Sequence, residues 1–153
     1  MNEKLPPKSA NLMQEFHRDI SYHVQLAESG AISLTGTLRD RYHDIEMEVL
    51  VDSDSLEILD ICLQLRRVPS PHCKDVEKRL DLLKGCPIAR GLNRKMAEIF
   101  GGHEGCGNLR TMLMGLLPLA VNARAAIGLE DEGRMLEVMH AHLKGTCAGF
   151  PET

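Results

Sequence analysis

The spacing of apolar residues changes period once, near Pro69 and Pro71, and that single change constrains the fold more than any other feature. Before the prolines, from Phe16 to Leu65, apolar and polar residues alternate. Ile20, Tyr22, Val24 and Leu26 interleave with Asp19, Ser21, His23 and Gln25. Ile45, Met47, Val49 and Val51 interleave with Asp44, Glu46, Glu48 and Leu50. A period of two sends one set to each side of a pleated strand, so these are half-buried strands, the later one with an acidic outer face. Ile32, Leu34 and Leu38 mark a run between them, and Leu56 to Leu65 forms a fourth that is more hydrophobic on both sides. Glu28-Ser29-Gly30 and Asp52-Ser53-Asp54-Ser55 are turn sequences. Turns this short permit antiparallel neighbours only, because a parallel crossover needs a dozen or more residues.

After the prolines the period becomes helical. Val76, Leu80 and Leu83 form one stripe over Asp75 to Lys84, and Gly85 stops it. Ile88 to Phe100 reads as a second helix, stopped by Gly101 and Gly102. Cys106 to Ile127 is apolar nearly all round, the mark of a buried helix, and Pro118 is expected to kink it or break it in two. Leu129 to Lys144 is a last amphipathic helix. Strands first and helices after predict an α+β domain: a four-stranded antiparallel meander followed by four helices packed on one face. Residues 1–13, with Pro6 and Pro7, read as a flexible arm, and residues 14–150 as a single domain.

Composition narrows the function classes. The net charge of −4 argues against general affinity for nucleic acid, and no Trp, two Tyr and three Phe leave few platforms for stacking bases. The start, MNEKLPPKSANL, lacks the apolar core of a secretory signal, and the longest apolar stretch, Met112 to Val121, is too short for a membrane span. A cytoplasmic protein with no membrane partner is the expectation. Five cysteines, Cys62, Cys73, Cys86, Cys106 and Cys147, are then expected as free thiols, and their spacings of 11, 13, 20 and 41 match no zinc ribbon or finger. Cys62 and Cys86 read as packing residues. No phosphate-binding loop, dinucleotide fingerprint or hydrolase elbow occurs.

The strongest site candidate is Cys106, set between Gly105 and Gly107 where a helix begins. The unpaired N–H groups and positive dipole end of a first helical turn favour a thiolate, the form that binds metal or attacks an electrophile. Cys73, in Pro71-His72-Cys73, stands before another helix start. His43 shares the inward parity of Ile45 and Met47. It reads either as a core-edge histidine bonded to backbone or as a ligand or proton carrier, with Asp40 placed to orient its ring. His17, His23, His140 and His142 read as surface groups, and Glu130-Asp131-Glu132 as an acidic helix start.

These residues carry a resemblance. Gly36-Thr37-Leu38-Arg39-Asp40, Tyr42-His43-Asp44-Ile45-Glu46-Met47, Pro71 and Cys73, Leu83-Lys84-Gly85, Arg90-Gly91, and Gly101-Gly102 through Gly105-Cys106 to Leu109 resemble an uncharacterised bacterial family, domain of unknown function 2889. The likeness extends to Thr146-Cys147 and covers roughly residues 16–150. The family's central segment reads Gly-Cys-x-His-Leu, and this chain has Asn108 at the histidine. In arrangement the chain also resembles, more distantly, the U-type iron–sulfur cluster scaffold proteins. That resemblance implies zinc or an iron–sulfur cluster held by cysteines, a histidine and an aspartate from separate loops.

Two functions follow as expectations. In the first, a metal ion or iron–sulfur cluster is bound by Cys73, Cys106 and His43, with Asp40 or His103 as a fourth ligand; His103 then makes up for Asn108. In the second, the domain is a non-catalytic interaction or structural module whose methionine-rich helices meet a protein partner. A thiol enzyme built on Cys106 is a third.

Overall fold

The computed structural model describes residues 15–152. Strands β1 (Arg18–Leu26), β2 (Ile32–Asp40), β3 (Asp44–Val51) and β4 (Ile58–Arg67) form one sheet in the order β1-β2-β3-β4, each pair antiparallel. The meander expected from the alternation is the sheet observed. Its register puts Ile20 beside Leu38 and Leu38 beside Ile45, and Leu34 beside Val49. Leu34, Leu38, Ile45, Met47, Val49 and Val51 therefore share one face, and all are buried. The opposite face is polar. There Ser21 meets Thr37 (2.6 Å) and Arg66 donates to Glu46 (3.0 Å), and Cys62, opposite Glu48, is exposed.

The helices cover the apolar face. A 3-10 turn (Pro71–Val76) runs into α1 (Glu77–Leu80) and a second 3-10 turn over 81–83. Then come α2 (Leu92–Phe100), α3 (Gly107–Leu116), α4 (Leu119–Ala126) and α5 (Glu132–Leu143). Met96, Phe100, Leu109, Met112, Leu113 and Leu116 join the strand residues in a single core.

Two local expectations are refined. The stretch Cys106 to Ile127 breaks at Leu117-Pro118, since proline has no N–H to give and its ring crowds the preceding turn. Its second half is not buried all round: Val121, Asn122 and Arg124 face solvent. Ile88 is not helical. The chain from Gly85 to Ile88 is bridged to the segment that leads into β4, where Ile58 donates to Cys86 (2.9 Å) and Ile88 to Leu56 (2.9 Å). Those bonds hold this segment beside the strand and delay the start of the helix. The helix starts only after Gly91, whose φ of 94° suits glycine.

The placement of α3 over the sheet depends on two small residues. Gly36 of β2 lies under Leu116, and the ring of Tyr22 covers it from β1. A Cβ at Gly115 would overlap the Tyr22 hydroxyl. This close approach brings the start of α3 to the β2–β3 hairpin.

Candidate functional site

The hairpin between β2 and β3 is built by one carboxylate. Asp40 Oδ1 accepts from the backbone N–H groups of Tyr42 and His43, both at 2.8 Å, closing the turn that aspartate favours. The same oxygen accepts from His43 Nδ1 at 2.9 Å. Its other oxygen takes Arg18 Nε at 2.9 Å and a terminal Arg18 nitrogen at 2.7 Å, across the Arg18–Asp40 pair of the β1–β2 ladder. The Asp40 side chain has no solvent exposure, and that of His43 has 14%. Burial alone would raise the Asp40 pKa. The His43 ring, the Tyr42 amide, the Arg18 guanidinium and the His43 amide together outweigh it and hold the carboxyl well below the usual carboxylate range.

Asn108, in the first turn of α3, completes the group. Its Oδ1 accepts from Arg18 (3.1 Å), and its Nδ2 lies 3.1 Å from His43 Nε2. Arg18 can only donate, so the amide oxygen must face it and the amide N–H groups face the histidine. Nε2 is then the acceptor, and Nδ1 carries the hydrogen given to Asp40. Arg18, Asp40, His43 and Asn108 thus form one satisfied network tying β1, the hairpin and α3 together. Asp40 orients His43 as the spacing suggested. The acceptor atom of His43, however, already faces an amide.

The thiols lie elsewhere. Cys106 is the N-cap residue of α3, in extended conformation, and its side chain caps no backbone N–H. Cys73 lies inside the first 3-10 turn rather than ahead of it, because Ser70 caps that turn by accepting from His72 N–H (3.2 Å) and Pro71 opens it. The two cysteines and His103 line one cleft of about 490 Å3, together with His72, Arg79 and Glu104. Arg79 donates to the Ile99 carbonyl and to Glu104 (3.2 Å), which fastens α1 to the loop after α2. That loop is folded tightly: a Cβ at Gly105 would overlap the Phe100 backbone. The five candidates thus separate into Asp40 with His43 at the hairpin and Cys73, Cys106 and His103 in the cleft. Among the described residues no three His, Cys, Asp or Glu side chains are grouped as they would be around a metal ion. Cys86 is buried, its thiol 3.4 Å from the Leu82 carbonyl, while Cys62 and Cys147 are exposed.

Sequence reasoning missed the parts played by Arg18 and Asn108. The signal for Arg18 was the ladder itself, since a tight turn at Glu28-Ser29-Gly30 sets Arg18 opposite Asp40.

The family model described as protein of unknown function (DUF2889) matches residues 16–122, which include both the hairpin network and the cleft. Searches of curated proteins and of solved structures found no match. No helix among the described residues is long and apolar enough to cross a membrane.

Proposed function

The chain belongs to the family of proteins of unknown function DUF2889, and we propose, from the residues of the cleft alone, that it binds a divalent cation there, zinc(II) in the first instance. One observation carries the reading. Cys73, Cys106 and His103 come from separate segments and line the same cleft. Two thiolates and an imidazole suit zinc, which takes four ligands and accepts water as one of them. An iron–sulfur cluster is commonly held by four cysteines, and this cleft has two, so zinc is the better fit.

The donors are not grouped for an ion as they stand. Binding therefore requires the donors of the cleft to move together, the exposed His103 side chain among them. His43 and Asp40 remain outside the coordination sphere and serve the reading indirectly, by holding the start of α3 where Cys106 is needed.

Elemental analysis of protein purified anaerobically, together with melting temperature against added zinc, tests this. The expected result is close to one zinc per chain, with a melting temperature that rises with zinc as binding to the folded state demands. Cys73→Ala and Cys106→Ala should each lose the metal, while Cys62→Ala and Cys147→Ala keep it. Metal-free protein whose melting is unmoved by zinc would overturn the reading, as would zinc that survives Cys106→Ala.

A further inference from the structure

The far end of the sheet holds a concavity that neither the network nor the cleft uses. The end of β1, helix α4 and helix α5 border an open concavity of about 550 Å3. That volume lies in the range occupied by small-molecule sites. Leu26, Ala123, Ala126, Met135 and Met139 are among its apolar walls, and none of the lining side chains among the described residues is ionisable. The polar side chains on the wall are two amides, Gln25 and Asn122.

The packing around this space is incomplete. Helix α5 is twelve residues long and buries none of them, although Met135, Val138 and Met139 form an apolar stripe that is half-covered. Met135 and Met139, four apart, stand on one helix face and reach into the concavity. Leu26 and Ile127 at its walls are 57% and 44% exposed. A helix whose apolar stripe is only half-covered gains stability when something apolar fills the gap beneath it. Methionine, flexible and polarisable, adapts to such a guest.

The character of the guest follows from the wall. With no cation among the described lining residues, a carboxylate would have no partner there. The space also takes in Ala126, Ile127 and Gly128 at the C-terminal end of α4, the negative end of its dipole, which repels an anion further. Amides and a helix C-terminus suit an uncharged group that can donate a hydrogen bond.

We propose that this concavity is a binding site for an uncharged amphiphile: a hydrocarbon body under α5, with a hydroxyl or amide end at Gln25 and Asn122. The site is independent of the thiol cleft and is tested with a metal chelator present.

The probe is the neutral fluorophore N-phenyl-1-naphthylamine, titrated with the full chain and then displaced by 1-decanol or by decanoate. The proposal expects saturable fluorescence enhancement, displacement by decanol, and decanoate weaker by about tenfold or more. Ala126→Phe, which fills the space, and Asn122→Asp, which puts a charge at an exposed wall position, should each weaken the probe by a similar factor. Leu82→Ala, an exposed site on another face, should not. Because Asn122 is exposed, its variant is expected to fold as the parent does, which circular dichroism verifies. Absence of enhancement, or unchanged binding in both wall variants, would overturn the proposal. So would decanoate competing as well as decanol. Dimerisation in light scattering that Asn122→Asp abolishes, with no probe bound, would assign the concavity to a second copy of the chain instead.

Discussion

Asp40→Asn is the sharpest test of how the hairpin and α3 are joined. The substitution keeps the shape and leaves an oxygen for the Tyr42 and His43 amides and the His43 ring. It replaces the second oxygen, which accepts two bonds from Arg18 at 2.9 and 2.7 Å, with a donor facing donors. A hydrogen bond to a charged group contributes about 1.5–3 kcal/mol, and breaking a fully buried ion pair costs about 3–5 kcal/mol. Arg18 is 31% exposed, so water recovers part of the loss, and a cost of about 2–3 kcal/mol is expected at pH 7. For a chain of this size that lowers the melting temperature by roughly 5–10 °C.

The pH dependence separates this mechanism from simple loss of packing. The Asp40 pKa is depressed in the folded state, so its stabilisation is present above the unfolded carboxylate value, about 3.9, and is lost as pH falls toward the folded value. At pH 3, below the unfolded carboxylate value, about 1 kcal/mol of it should be gone from the parent, and the gap to Asp40→Asn should narrow accordingly. Urea unfolding followed by far-ultraviolet circular dichroism reads both numbers; the chain has no Trp to report by fluorescence. A cost below about 0.5 kcal/mol at pH 7, or a gap that is the same at pH 3, would refute the assignment of Asp40 as a charged anchor.

Two further comparisons test placement. Gly115→Ala should destabilise by about 1–2 kcal/mol despite the better helix propensity of alanine, because its Cβ meets the Tyr22 ring, and Tyr22→Ala should relieve most of that cost in a double-mutant cycle. Gly105→Ala should cost about 3 kcal/mol or more, since its Cβ meets rigid Phe100 backbone, whereas Gly107→Ala, with open space around it, should be neutral or slightly stabilising; chemical denaturation ranks the pair.

The strands were legible because burial is one-sided. Ile45, Met47, Val49 and Val51 are at most 2% exposed, and Glu46 and Glu48 alternate with them on the open face, so a period of two survives in the residues. The break at Pro118 was legible for the equally local reason that proline lacks a donor. Ile88 was not, since its place is set by its own backbone bond to Leu56 and that of Ile58 to Cys86, contacts distant in sequence that apolar spacing does not encode. The site divides in the same way. The turn-forming Asp40 and its partner His43 are three apart and could be read together. Whether Cys106 faces His43 or Cys73 depends on how α3 crosses the sheet, and that depends on Gly115 lying against Tyr22. The amphipathic pattern of α5 foretold a helix but not that its stripe would be left half-covered.

The central claim is that Cys73 and Cys106 act together on one cation. Cobalt(II), which takes the place of zinc and absorbs light, tests it most directly. Titrated anaerobically into the metal-free protein, it should give thiolate-to-cobalt charge-transfer absorption that saturates near one equivalent and the intense visible bands of a tetrahedral site. The charge-transfer band should be lost in Cys73→Ala and in Cys106→Ala alike, since neither variant is expected to hold the metal. Cobalt that gives no charge-transfer band, or a band that either single variant leaves intact, would contradict the account.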